Sequence, residues 1–104
     1  MVLNDTLLDV SIRGLHHLFH HPNVGSFVAT FWERECRNLT PVQQRILLFV
    51  VYEEAWRRAE AILGEAKEAP GFFEAQALAA VADRYFAVFK NLGEYLGADK
   101  HRRS

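Results

Sequence analysis

The three prolines, Pro22, Pro41 and Pro70, are the only ones in 104 residues, and the intervals between them decide what this chain can fold into. Proline removes a backbone donor and disfavours helical geometry in the residue before it, so each marks a place where a helix ends or begins. The intervals are long, apolar residues recur in them three and four positions apart, and no stretch alternates apolar and polar residues between turn signals as a strand would. The pattern predicts an all-α chain. It is expected to form one four-helix bundle-like single domain over residues 1–104, with two short N-terminal helices followed by a long antiparallel helical hairpin.

The first helix is expected to begin after Asn4 or Asp5, either of which can cap it, and to end near His20 ahead of Pro22. Its apolar seam reads Leu8, Ile12, Leu15 and Phe19. The second is expected over residues 26–38, with Ser26 as its cap after the Pro22-Asn23-Val24-Gly25 turn. Thr40-Pro41-Val42-Gln43 then combines a capping hydroxyl, a proline at the first helical position and a glutamine at the third, which is a strong start signal. The third helix is predicted over residues 41–63 with Gly64 as its stop, and a polar connector containing Pro70 follows over residues 65–71. The fourth is predicted over residues 72–96, ended by Gly97, with Lys100 and Arg102 near its negative pole.

A chain of this length buries roughly two-thirds of its unfolded surface, so a core can form without disulfides or a structural metal. Its single cysteine, Cys36, rules out an intramolecular disulfide and fits a reducing compartment. The opening residues carry acidic rather than basic side chains, which is unlike a secretory signal. The longest apolar run, residues 46–52, is far shorter than the ~20 residues of a membrane span. A soluble, cytoplasmic protein with no membrane partner is the expectation. The net charge of −1 offers no general attraction to nucleic acid. The basic residues 100–103 read as a solvated terminus.

Residues 39–47, Leu-Thr-Pro-Val-Gln-Gln-Arg-Ile-Leu, resemble the opening helix of some bacterial helix-turn-helix regulators. That resemblance would imply a glycine-bearing turn and a polar recognition helix next, whereas here the helical pattern continues through Trp56 with no basic face to meet phosphates. Nucleic acid is therefore not an expected partner.

The apolar surface is expected to exceed what one small core absorbs. On the fourth helix Leu78, Val81, Tyr85, Val88, Phe89, Leu92 and Leu96 share one face. On the second half of the third, Tyr52, Ala55, Trp56, Ala59 and Leu63 are expected to face inward, with Glu53, Arg57 and Glu60 outward. Earlier in that helix Ile46, Leu47, Leu48, Phe49, Val50 and Val51 point in every direction, so that end must be covered all round, by the first two helices or by a second subunit. Ile46, Leu47, Phe49 and Val50 are the candidate interaction residues. A homodimer is the expected solution, and a partner protein's helix received in a groove is its variant.

Uncommon chemistry is concentrated in one place. Four of the five histidines fall in His16-His17-Leu18-Phe19-His20-His21, giving two pairs, His16/His20 and His17/His21, each four residues apart on one helix face. Such a pair can chelate zinc, nickel or copper, although a stable site takes three or four ligands. His16 and His20 are the leading candidates because they border the predicted seam, with His17 and His21 farther toward solvent. A third ligand would have to come from Glu35, Cys36, His101 or a second subunit. No Glu-x-x-His, His-Glu-x-x-His or paired cysteines accompany the cluster, and no haem-attachment motif occurs.

Glu35 projects into the apolar face made by Phe27, Val28, Phe31, Trp32 and Leu39, where a carboxylate can serve as acid, base or ligand, or simply pair with an arginine such as Arg13 or Arg45. An enzyme or apolar-ligand pocket would need an aromatic-lined cavity near Glu35 or Tyr85. Cys36 has no recognisable base beside it. Glu53 and Glu54 each precede an arginine by four residues and read as surface ion pairs. No catalytic constellation is legible. The expected function is that of a small helical interaction module, with a transition-metal site at the histidines as the alternative and no cofactor otherwise required.

Overall fold

The computed structural model describes the backbone of residues 5–35, 37 and 39–102 and the side chains of residues 8–30, 33, 34, 37 and 39–97. Over these residues the fold is all-α with no strand, and its two long helices pack closely as a hairpin. Helix α1 spans Asp5–His20. Helix α2, residues 24–35, is one helical segment with an α-helical turn at Val24–Phe27, a π-turn at Val28–Trp32 and a final turn at Glu33–Glu35. Helix α3 spans Pro41–Glu68 and helix α4 spans Phe72–Arg102.

Local chemistry accounts for each boundary. Pro22 closes α1, and the backbone carbonyl of Pro22 accepts a hydrogen bond from Asn91 Nδ2 at 2.9 Å, which ties the α1–α2 corner to α4. Helix α2 starts two residues earlier than the sequence predicts, because its cap is Asn23 rather than Ser26. The Ser26 N–H donates to Asn23 Oδ1 at 2.9 Å. Four residues on, the Thr30 hydroxyl donates to the Ser26 carbonyl at 2.8 Å, inside the stretch where the helix widens to π geometry. The capping box expected at Thr40 is present: the Gln43 N–H donates to Thr40 Oγ1 at 3.1 Å and the Thr40 N–H to Gln43 Oε1 at 3.0 Å.

Both long helices overrun the glycines expected to stop them. Gly64 lies within α3 and Gly97 within α4, and no described glycine takes the left-handed conformation a helix-ending glycine adopts. The stop on α3 is Pro70 instead. It holds Ala69 at φ −64°, ψ 135°, extended as the residue before a proline should be, so the connector shrinks to residues 69–71. So short a link folds α4 back antiparallel to α3.

The core gathers Leu15 and Leu18 of α1, Phe27 of α2, Leu47 and Val51 of α3, and Val88 and Leu92 of α4, all fully buried. Along the hairpin the buried set turns to alanine, with Ala55, Ala59 and Ala82 without solvent exposure. Small side chains let the two helix backbones approach closely there. Helix α1 presents a different face from the predicted seam: Val10, Ser11, Gly14, Leu15 and Leu18 are buried, while Leu8 and Ile12 are about half exposed, at 46 % and 50 %. Counting apolar residues overlooks Ser11 and Gly14, whose small size suits them to a helix contact. Trp56, expected inward, is 45 % exposed.

The glycines supply a test of these contacts. A Cβ at Gly64 would meet nothing within 4 Å, whereas one at Gly93 would sit 3.1 Å from Tyr52 Cε1. Gly64→Ala should raise stability by up to about 1 kcal/mol through helix propensity alone. Gly93→Ala should gain clearly less, because the Tyr52 ring must move to admit the methyl. Urea denaturation of the two variants checks this, and equal gains would show that the Tyr52 contact exerts no constraint.

Candidate functional site

The histidine cluster occupies the last turn of α1 and the residue after it, since the His21 N–H still donates to the His17 carbonyl at 2.9 Å. The rings pair as their spacing requires: His16 and His20 lie 4.7 Å apart between centroids, and His17 and His21 5.4 Å apart. His21 is exposed as expected, but the other three differ from the expectation. His16 and His20 are exposed, while His17 is half-buried with its ring 5.7 Å from Phe27 of α2. The rotation of α1 described above causes this, by turning His17 toward the α2 corner and His16 outward.

Each pair offers two imidazoles. Among the described residues no group of three or more His, Cys, Asp or Glu side chains converges closely enough to hold a metal ion. The side chains of Glu35, Cys36 and His101, considered above as further ligands, lie outside the described residues.

A cleft runs beside the cluster, between α1 and α3. One part, of about 180 Å³, is lined mainly by Leu8, Ile12, Leu15, Val50 and Val51, and Glu54 and Arg58 close its polar end. The adjoining part, of about 500 Å³, brings together Arg13, His16 and His17 of α1, Arg34 of α2, Arg58 of α3 and Tyr85 of α4. Arg58 joins the two. Its Nε donates to Glu54 Oε1 at 3.1 Å, its Nη1 donates to the Tyr85 hydroxyl at 3.4 Å, and its guanidinium lies 5.9 Å from the Tyr85 ring centroid. The hydrogen bond to Tyr85 is the main reason the Arg58 proton is held more firmly than usual. Sequence spacing identifies the Glu54–Arg58 pair but reads it as surface decoration. Its partner Tyr85 lies 27 residues away, on another helix. The Glu53–Arg57 pair, at 3.7 Å, is a solvated one as expected.

The opposite side of the hairpin carries aromatic surface that neither α1 nor α2 covers. Tyr52 stacks on Phe89 of α4 at 4.4 Å and 18°, and Trp56 and Phe89 line one shallow depression with Tyr52. Phe49 is 44 % exposed, with the Arg45 guanidinium 5.8 Å from its ring centroid. Of the candidate interaction residues, Phe49 belongs to this outer side. Leu47 is fully buried in the chain's own core, Ile46 is half-buried, and Val50 lines the α1–α3 cleft. No family model, curated protein or solved structure matches this chain.

Burial holds the His17 imidazole below its ordinary pKa of 6.5, and the charges of His21, Arg34 and His16 add to the effect. A base whose pKa is lowered by folding binds protons better when unfolded. Its contribution to stability is therefore complete above about pH 6.5 and is lost as pH falls from there through the folded pKa. A proton NMR titration should find His17 protonating below pH 6.5, and Arg34→Ala should move it back toward that value. An unchanged midpoint in the variant would remove Arg34 from the account.

Proposed function

We propose that this chain is a helical interaction module that pairs with a second copy of itself through the outer face of the α3–α4 hairpin. The observation that carries this reading is the exposed apolar stripe on that face, most of it aromatic. Val42, Phe49 and Trp56 are exposed at intervals of seven residues along α3, and Tyr52 and Phe89 fill the surface beside them. Seven-residue recurrence keeps a seam in line over several turns and suits packing against another helix. Glu53 and Arg57 flank the stripe as an ion pair, and the Arg45 guanidinium lies over Phe49 within it.

Size supports the same reading. The accessible surface is 7091 Å², against about 5,900 Å² for a compact monomer of this mass. The radius of gyration is 15.1 Å, against about 13 Å for a globular chain of this length. Both values are those of an elongated chain with a large surface for its mass, and a stable interface takes roughly 800 Å² from each partner. Pairing hairpin to hairpin would give the thin half of the molecule the second layer it lacks.

Sedimentation velocity of the whole chain at micromolar concentration should report a dimer. Phe49→Glu combined with Trp56→Glu should yield a folded monomer, because both side chains are already half in solvent and their loss leaves the monomer core untouched. A wild-type monomer, or a dimer unaffected by the double change, would overturn the proposal. His16→Ala with His20→Ala should leave the dimer intact.

A further inference from the structure

We propose that the cleft between α1 and α3 binds a small amphipathic anion, an organic carboxylate carrying a ring or a short alkyl tail. The two parts of the cleft differ in chemistry and share Ile12 and Arg58, so they are continuous. The apolar part has aliphatic walls from two helices. Its volume of about 180 Å³ slightly exceeds the ~150 Å³ of an apolar cavity known to hold a benzene-sized guest. That is room for one ring or a tail of about six carbons. Leu8 and Ile12 are half exposed at its edge, an unfavourable placement for large aliphatic side chains that a bound tail would relieve.

The polar part selects the sign of the headgroup. Arg13, Arg34 and Arg58 converge there from three helices, joined by His16, His17 and the Tyr85 hydroxyl, and no carboxylate lines it among the described residues. Two of these arginines pair with carboxylates outside the lining of the polar part: Asp9 with Arg13 at 3.2 Å and Glu54 with Arg58 at 3.1 Å. Glu54 closes the apolar part, and its ion pair turns the Arg58 guanidinium toward the junction, where it also reaches Tyr85. A planar guanidinium presents paired N–H donors that match a carboxylate. With its head among the arginines and its tail along Ile12 toward Leu8, such an acid fills both parts. This cleft lies on the α1 side of α3, away from the aromatic outer face, and the inference does not depend on self-association.

Isothermal titration of the full chain with octanoate tests it, with acetate and octylamine as comparisons. Octanoate should bind once per chain, at least tenfold more tightly than either. Arg34→Ala should weaken octanoate binding about tenfold with an unchanged circular dichroism spectrum, since Arg34 is exposed and outside the core. Ile12→Glu should abolish it. Equal binding of octylamine would mean an apolar patch without charge selection, and equal binding of acetate would mean anion attraction without a tail site. Either outcome, or an Arg34→Ala variant that binds octanoate as the parent does, would overturn the proposal.

Discussion

The close approach of α3 and α4 along Ala55, Ala59 and Ala82 is the contact on which the rest of this molecule depends. Three fully buried alanines bury little apolar area for the length of helix they join, so the hairpin is stabilised mainly at the end where larger side chains enter. At that end α1 and α2 contribute Leu15, Leu18 and Phe27 to the core around Leu47, Val51, Val88 and Leu92. The alanine seam brings the helices together, and the N-terminal pair turns one end of the hairpin into a core. The other broad side of the hairpin is left with its aromatics at the surface.

This arrangement places distinct chemistry on the two sides of α3. Toward α1, its residues Val50, Val51, Glu54 and Arg58 line a cleft with an aliphatic half and a cationic half. Away from α1, Phe49, Tyr52 and Trp56 form an aromatic surface with Phe89. The run of apolar residues early in α3 is thus divided among core, cleft and outer face. A helix apolar all round has more than one surface to satisfy.

The helical class was legible because its signals are local. Pro22, Pro41, Pro70 and the Thr40–Gln43 capping box act through bonds and neighbours within a few positions. Gly64 and Gly97 misled because glycine ends a helix only when the chain turns left-handed there. At both positions the next turns continue the helix, and Pro70 supplies the stop on α3. The face α1 buries was less legible, since Ser11 and Gly14 enter the contact by being small, a property that apolar periodicity does not register. That error propagated to the histidines and exchanged the surroundings of His16 and His17. The cationic cleft was beyond reach for another reason: Arg34, Arg58 and Tyr85 come from three helices and meet only in the folded chain.

The hydrogen bond from Asn91 to the Pro22 carbonyl joins residues 69 positions apart, while the turn from α3 into α4 needs only three linking residues. Closing a short connector costs less chain entropy than closing a long one, so the link from α3 to α4 holds the hairpin together more directly than the long-range tie to Pro22 does. The α1–α2 unit acts as a clasp across one end of the hairpin. The clasp completes the core and with it forms the cleft, because α1 and α2 supply one wall and most of its positive charge. The aromatic face belongs to the hairpin alone, whereas the charged cleft exists only where the clasp and the hairpin meet.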